Sequence, residues 1–475
     1  MADLFGLQKL LRSTFFMGQK LEQSLRSTLN NFKSAGQLHY IDQEIDPRYE
    51  LGALLLLQDR GHSLFFRNIK GFSIPIVGNL LNSRNKIALG LGVERKHLQA
   101  ICMKALDWGI TPVIAAKGPI KEVIYHAPVD IPQLLPVPTW FEKEKGPYIT
   151  AGVIVAKDPG TDHRNVSIAR LRVEGGDLLL AGIAPTHHLS ELMRRAHERG
   201  GPLEIAIIIG NHPAVLIASQ MYVSLGHDEF DIAGGLMNEP LRLVRCESVN
   251  LEVPADAEIV LEGTLHADER IEEGLVSEFH GFYENYGEGH AVHIKTATHR
   301  FKPIYQTILP GYAAEHILLG AVAIGATTCR TLQKVIPRVK RVLISDGGMG
   351  RLHAIITMHR PARGEAKRVI MLAMSTTNLL KLVIVIDDDI NPEDWQQVEW
   401  AIAARMRGEE DIMIIPGVKS DRCDPQQKNM AVTKVGIVAT TRPNDEEPSG
   451  KFEYARPPKD VLEKIKRNLA AYLGK

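Results

Sequence analysis

The chain has 475 residues, with 56 Lys plus Arg against 56 Asp plus Glu, and 44% of it is hydrophobic. That length suits two or three domains of ordinary globular composition. The balanced charge argues against a dedicated nucleic-acid or anionic-membrane surface. No apolar run approaches the 18 or so residues of a transmembrane helix. The four cysteines, Cys102, Cys246, Cys329 and Cys423, lie too far apart for a zinc site or disulfide framework, and they fit a reducing cytoplasm.

The N-terminus lacks the uninterrupted apolar stretch of a signal peptide. Residues 5–34 read as an amphipathic helix, and short mixed elements follow to about 125. The proline-rich PQLLPVPTW, 132–140, reads as an extended connector. From about 148 short β-rich runs take over, including YITAGVIVA, NVSIARLRV, DLLLAGI, LEIAIII, AEIVLEGTL and AVHIKTATHR. EGG at 174–176 marks a hairpin turn between two of them. One helix interrupts, HLSELMRRAHERGG, with Leu189, Leu192, Met193 and Ala196 at helical spacing and Gly200 and Gly201 as a stop. An antiparallel barrel or sandwich with an inserted helix accounts for this pattern.

After about 330, strands and helices alternate. RVLIS and KLVIVIDDD read as buried strands, and PEDWQQVEWAIAARM as a helix with Pro392 near its start. The tail PKDVLEKIKRNLAAYLG reads as an amphipathic helix that docks on a partner subunit or packs on its own domain. The chain is thus of the α+β class, divided into an N-terminal α/β segment (1–125), a β-rich middle domain (126–325) and a C-terminal α/β domain (326–475).

The usual nucleotide and hydrolase motifs are missing. SDGGMGR (345–351) lacks the spacing of a dinucleotide fingerprint and reads as a turn. There is no HExxH and no GxSxG. The acids at 387–389 read as solvated strand-end residues. A dispersed set is more informative. Asn165 opens NVSIAR, which closes on Arg170. His187 and His188 open a helix, ASQM (218–221) leads to Glu229, and RIEEGLVSEFHGFYENYGEGH (270–290) carries Glu273 and Glu278. An Asn oxygen, an imidazole and one carboxylate form a mixed donor set suited to Mn2+ or Mg2+, with positions left open. On residue types alone, a set spread over 65 residues serves structure as readily as metal binding, and acids in a glycine-rich turn are commonly solvated.

The order and spacing of NVSIAR, THHL, ASQM running into DEFDIAGGL, VPADAEIVLEG, THRFKPIYQ, KLVIVIDDDIN and KVGIVAT decide between these readings. Over roughly residues 35–442 the chain resembles the UbiD-like decarboxylases that use prenylated flavin mononucleotide. The resemblance implies a split β-barrel flavin-binding domain and a C-terminal α/β oligomerisation domain. It also implies assembly as a homodimer or homohexamer, and a flavin prenyltransferase as cofactor supplier. Asn165, His188 and Glu229 would hold Mn2+ or a similar ion against the cofactor phosphate. Ser167, Ile168, Ala169 and Arg170 would lie along the flavin, with His187 on the same side. Ala218, Ser219 and Met221 would hold K+ largely through backbone oxygens, with Val166 and Glu229. Lys381 would contact the cofactor. Arg170, Glu273 and Glu278 resemble the catalytic network.

The reaction so implied is a non-oxidative, reversible decarboxylation of an aromatic, heteroaromatic or α,β-unsaturated acid. Glu278 delivers the proton, Arg170 orients the substrate carboxylate or Glu278, and Glu273 holds Arg170. Residues five apart fall on opposite faces of a strand and about 140° round a helix. Glu273 and Glu278 can therefore share a site only if 273–278 is irregular, which Gly274 permits. The chain departs from the family where EGPFGE is common and EGLVSE stands here (273–278), and at Val438, where aspartate is common. Phe279 would line an aromatic slot, and His187 could donate to a phenol, ring heteroatom or second carboxylate. His280, Tyr283 and Tyr286 reach the pocket or its rim. Two other functions compete: a non-catalytic or partner-dependent subunit of a UbiD-like carboxylase assembly, suggested by the altered GLVSE, and a plain flavin reductase.

Overall fold

The β-rich runs of the middle region pair into one antiparallel ladder of nine strands in the computed structural model, which describes residues 22–442 and 454–473. Its order is Tyr148–Ile149, Arg170–Gly175, Leu178–Gly182, Glu288–His299, Ile259–Glu272, Leu203–Ile209, Val153–Lys157 and Arg164–Ile168, with Val123–His126 paired to Glu288–His299. One end of this ladder and the strand next to its other end are neighbours in sequence. Strand Arg164–Ile168 ends it on one side, strand Arg170–Gly175 lies next to the other end, and only Ala169 separates them. The sheet therefore curls until its ends meet at Ala169, although no ladder joins those two strands among the described residues.

Strand periodicity explains how both faces of this sheet are filled. In Leu203–Ile209, Ile205, Ile207 and Ile209 pack with Leu171, Leu179, Leu261 and Val292, whereas Ala206 and Ile208 pack with Val153, Val155 and Val260. Helix His188–Glu198 covers the first set through Leu189, Leu192, Met193 and Ala196, as its spacing predicts. Helices Pro213–Ala218 and Glu229–Met237 cover the second. Burying each such Leu or Ile is worth about 1.5–3 kcal/mol.

On the N-terminal side, helix Leu25–Ser34 starts at Ser24, whose Oγ accepts from Ser27 N at 3.1 Å. Of the helix expected over 5–34, residues 5–21 lie outside the described residues, and 22–24 are not helical because Ser24 caps the helix at Leu25. Strands Leu38–Ile45, Ser63–Ile69 and Ile76–Gly78 make a small sheet completed by Tyr305–Gln306. The stretch 132–140 is not wholly extended: Asp130 caps a short helical turn, Ile131–Leu134, before the chain straightens.

Helix Ala314–Val335 leads into the C-terminal domain. Its start is tied to the N-terminal segment, because Asp59 Oδ1 accepts from Ala314 N at 2.7 Å and buried Glu315 Oε1 accepts from Leu81 N at 2.8 Å. The domain's five-stranded sheet has the order Val339–Ile344, His353–Met358, Leu382–Asp387, Ala431–Ala439, Ile412–Lys419, with the central three strands parallel. Two expectations need correcting here. Helix Trp395–Arg405 begins after Asp394, which caps it, so Pro392 lies outside the helix. Asp387 is buried rather than solvated, and with Asp389 it clamps Arg405; burial pushes the Asp387 carboxyl up to about 6. The terminal helix, Lys459–Arg467, has no buried residue and leaves Val461 and Ile465 exposed. No described helix is long and apolar enough to cross a membrane.

Candidate active site

A cavity of 510 Å³ opens between the curled sheet and the C-terminal domain. The wall contains Asn165, Val166, Ser167, Ile168, Ala169 and Arg170, together with His187, His188, Ser219, Met221, Glu229 and Glu278. Twelve residues singled out from the sequence thus converge on one space. Glu273 stands behind Arg170, and Ala218 lies one residue back from the wall, its carbonyl accepting from Met221 N at 3.0 Å.

One end of the cavity is built where strand Arg164–Ile168 meets the start of helix Glu229–Met237. Asp228 caps that helix, its Oδ1 accepting from Phe230 N at 2.9 Å. Arg164 spans Asp228 and Glu252 at 2.7 and 2.8 Å and pins strand to helix. Glu229 then turns back onto the strand, where its oxygens accept from Asn165 Nδ2 at 3.1 Å and Val166 N at 2.7 Å. Burial pushes the Glu229 carboxyl up to about 8 against these two donors. Asn165 is 3% exposed, and its Oδ1 has no hydrogen-bond partner. A buried carbonyl oxygen without a donor is costly, and a cation beside Glu229 would satisfy it. His188 adds an imidazole that burial holds below its ordinary value, neutral and able to ligate. No cluster of three or more His, Cys, Asp and Glu side chains suited to a metal occurs among the described residues. A divalent ion at this end therefore depends on the Asn165 oxygen.

The other end carries the acids. Strand Ile259–Glu272 stops, Glu273 N donates to Gly287 O at 2.9 Å, and Gly274 turns the chain with φ +80°. Leu275–Ser277 then starts a separate hairpin with Tyr283–Asn285. This break is the irregularity that the 273–278 spacing demands. Glu273, 1% exposed, accepts from Arg170 Nε at 2.6 Å and Nη2 at 2.8 Å. Burial alone would lower the Arg170 guanidinium, but pairing with Glu273 and the nearby Glu278 raises it above its ordinary value. Glu278 faces the cavity and accepts from Tyr286 Oη at 2.9 Å.

Several of these partners were not foreseen. Tyr286 was placed only at the pocket or its rim, yet its phenol holds Glu278 and its ring lies between Arg170 at 5.2 Å and Arg422 at 4.2 Å. Glu144 is buried behind the hairpin, and its Oε1 accepts from both the backbone N and Oγ of Ser277 at 3.1 and 2.9 Å. Burial pushes the Glu144 carboxyl up. Helix Ala314–Val335 contributes His316 to the wall, and the C-terminal domain contributes Arg351, Arg422 and Cys423. His316 Nδ1 donates to Gly311 O at 3.0 Å, and burial holds its imidazole down to about 4. Local sequence gave no signal for these residues, which only long-range packing brings to the site.

Lys381 is not brought in. Its Nζ donates to Asp424 Oδ1 at 2.9 Å, outside the cavity wall, since a buried carboxylate requires a counter-charge. Phe279 does line the cavity. His280 is buried, its Nδ1 accepting from Phe282 N, and Tyr283 sits in the hairpin; neither reaches the wall.

Comparison with known proteins agrees over most of the chain. Three family models match in sequence order: the 3-octaprenyl-4-hydroxybenzoate carboxy-lyase N-terminal domain over residues 29–104, its Rift-related domain over 112–313 and its C-terminal domain over 317–439. Anhydromevalonate phosphate decarboxylase of Methanothermobacter thermautotrophicus is 34% identical over 401 residues, 84% of this chain and 93% of that one. The Methanosarcina mazei protein of the same name is 34% identical over 87% of this chain and 95% of its own. Among solved structures, the UbiD-class enzyme HmfF from Pelotomaculum thermopropionicum in complex with FMN superposes with a TM-score of 0.89. It is 38% identical, covering 94% of this chain and all of HmfF. An evolved dimeric form of HmfF in complex with prFMN gives a TM-score of 0.86 at 37% identity.

Proposed function

Because the chain belongs to the UbiD family of carboxy-lyases, we propose that it is a prenylated-FMN-dependent decarboxylase, non-oxidative and reversible, of an unsaturated carboxylic acid. The observation that carries this reading is the cavity's polarity. A cation-seeking donor set stands at one end and an Arg170–Glu273 clamp beside Glu278 at the other. The curled sheet whose ends meet at Ala169 is then the split barrel around the flavin, within the division 1–125, 126–325 and 326–475. HmfF, solved in complex with FMN and, in an evolved dimeric form, with prFMN, supports that cofactor.

When bound, the prenylated flavin supplies the electron sink for the pair left behind as CO2 departs. The chain supplies the rest. Asn165, His188 and Glu229 hold the divalent ion, Mn2+ or one like it, and carbonyls at Ala218, Ser219 and Met221 with Val166 hold K+. Ser167, Ile168 and Ala169 flank the ring system. Arg170 orients the substrate carboxylate by charge-assisted hydrogen bonds. Glu273 is a positioning residue that fixes Arg170. Glu278 returns a proton to the carbon that lost CO2, aimed by Tyr286. Raised bicarbonate drives the reverse reaction through the same transition state.

Two relatives are named for anhydromevalonate phosphate, which shifts the expected substrate from an aromatic acid to the wider α,β-unsaturated class. A flavin prenyltransferase supplies the cofactor. The exposed face of the terminal helix suits a second copy of the chain, as in a homodimer or homohexamer. Co-expression with a flavin prenyltransferase, followed by a screen of unsaturated acids for CO2 release, tests the activity. Full activity of Glu278→Gln on an accepted acid would remove Glu278 as the proton donor.

A further inference from the structure

Decarboxylation trades a C–C bond for a C–H bond and consumes one proton for each CO2 released. Glu278, having given its proton to carbon, must be recharged before the next turnover. We infer that Glu144 recharges it through the Ser277 hydroxyl, a proton relay that enters the site from behind the cavity wall. The inference rests on the decarboxylase reading above and adds to it the source of the proton.

The loop FEKEKG, 141–146, places Glu144 between solvent and site. Glu142, Lys143 and Lys145 are exposed, whereas Glu144 among them is 8% exposed. Both flanks are fastened to the segment that carries the acids: Lys143 N donates to Tyr283 Oη at 3.4 Å, and Lys145 Nζ pairs with Glu272 at 2.9 Å. Glu144 is thereby turned inward, where its Oε1 accepts from Ser277 N at 3.1 Å and Ser277 Oγ at 2.9 Å. Ser277 in turn lines the cavity together with Glu278. Adjacent residues of a strand face opposite ways, but the strand ends at Ser277. A tight turn follows, in which Gly281 N donates to Glu278 O at 2.8 Å.

Glu144 is the acid here that is suited to hold a proton in reserve. Its Oε2 is buried without a hydrogen-bond partner, which favours the neutral carboxyl. Burial pushes the group up against the pull of the Ser277 donors and the charge of Arg170. The other groups nearby are committed elsewhere. Glu273 is occupied by the Arg170 fork. Tyr286 donates to Glu278, and burial beside that carboxyl pushes its phenol up, so it aims the acid and keeps its own proton. His316 gives its Nδ1 proton to Gly311 O, and burial keeps the ring neutral. Asp421 lies on the C-terminal wall, its Oδ1 accepting from Cys423 N at 3.2 Å.

The transfer balances. A proton on Glu144 passes to Ser277 Oγ as the hydroxyl's own proton passes to the Glu278 carboxylate, and Glu144 takes a replacement from solvent at the loop. Glu144 is not part of the cavity wall and acts only through Ser277.

The test measures CO2 by rapid quench, in the first turnover and in the steady state, on flavin-loaded enzyme with an accepted acid. Glu144→Gln keeps an oxygen for Ser277 to donate to and has no proton to give. Glu278 starts charged, so the first turnover should stay within about twofold of native, while kcat falls at least about tenfold. The result is a burst of one CO2 per site. kcat/KM, which covers only the steps through CO2 release, should change by less than about twofold. Small weak acids added as buffer should restore part of kcat, and Glu144→Asp should fall between native and Glu144→Gln. A first turnover slowed as much as kcat would make Glu144 a support for Glu278 alone and overturn the relay, as would native kcat in Glu144→Gln. The infrared spectrum of flavin-free protein needs no turnover. A protonated-carboxyl band that persists above about pH 5, where an exposed Glu is ionised, should be present in the native chain and missing from Glu144→Gln; its absence from the native chain overturns the relay. That band together with no CO2 from any acid would instead sink the decarboxylase reading and leave Glu144 a proton-holding group.

Discussion

Arg170 and Glu273 are 103 residues apart and meet as a two-pronged ion pair, Nε to Oε1 at 2.6 Å and Nη2 to Oε2 at 2.8 Å. The pair depends on two separate accidents of the backbone. Arg170 begins the strand that follows the single-residue gap at Ala169, and Glu273 ends a long strand just before the turn at Gly274. A planar fork matched to a carboxylate fixes orientation as well as charge. Arg170→Lys keeps the charge but loses the fork, so kcat/KM should fall by about 10²-fold while flavin content stays near that of the native enzyme. Steady-state kinetics beside flavin quantitation checks this. A variant with native kinetics would show that only the charge matters.

Tyr286 gives the second prediction. Its hydroxyl donates to Glu278 Oε2 at 2.9 Å. Tyr286→Phe removes that donor and little else, since the ring still fills its place between Arg170 and Arg422. Losing a charge-assisted hydrogen bond of about 1.5 kcal/mol lowers kcat roughly tenfold. In a Glu278→Gln background the same change should add almost nothing, because the residue it aims is already disabled. Additive losses in the double variant would place Tyr286 in some other role.

Asn165 supports a prediction about metal. Its Oδ1 has no partner and stands beside the buried carboxyl of Glu229, the arrangement on which the proposed divalent-ion site rests. Asn165→Leu should abolish stoichiometric divalent metal by elemental analysis, and flavin retained through purification should fall at least about tenfold, as should chelator-treated native protein. Native metal and flavin content in Asn165→Leu would remove the residue from the ligand set.

A fourth prediction concerns pH and stability. His353 is buried, and burial holds its imidazole down to about 4, below the ordinary 6.5. The folded chain keeps this ring neutral, while the unfolded chain takes up a proton below about 6.5. Stability from this group is therefore complete above pH 6.5 and is lost as the pH falls toward 4. His353→Leu removes the liability, and His353 Nε2 has no hydrogen bond to lose. In denaturant titrations of flavin-free protein, the variant should gain on the native chain by roughly 1–2 kcal/mol between pH 7 and pH 5. A difference independent of pH would show that the ring takes up its proton as readily in the folded chain as in the unfolded one.

Much of this site was legible in the sequence because its residues fall in short contiguous runs. NVSIAR delivers one wall of the cavity as a single strand and gap, and the five-residue interval from Glu273 to Glu278 by itself requires an irregular backbone if the two acids share a site. Strand and helix positions followed from periodicity, as in helix His188–Glu198. What was illegible has a common cause. His316 enters from helix Ala314–Val335 and Arg351 and Arg422 from the C-terminal domain, and no local pattern separates a cavity arginine from a solvated one. Lys381 stands outside the cavity wall for the converse reason: its neighbourhood in sequence does not reveal Asp424, 43 residues later, which holds its ammonium. The acids at 387–389 looked solvated because their partner Arg405 belongs to the next helix.

Ser277 was marked only as a departure from the family pattern, and the structure gives that departure a partner. Its hydroxyl and backbone N both donate to Glu144, a buried carboxylate whose second oxygen has no partner. The contact anchors the residue immediately before Glu278, on the short strand that sets where the acid points. Ser277→Gly keeps the backbone donor and loses the hydroxyl, while adding freedom to the strand. Global stability should drop by about 1 kcal/mol, and kcat should fall several-fold with a smaller change in KM, because Glu278 samples positions away from the reacting carbon. Ser277→Thr restores the hydroxyl with a β-branched side chain suited to a strand and should recover most of kcat. If Gly and Thr variants lose activity equally, the hydroxyl does not position Glu278 and the side chain serves packing alone.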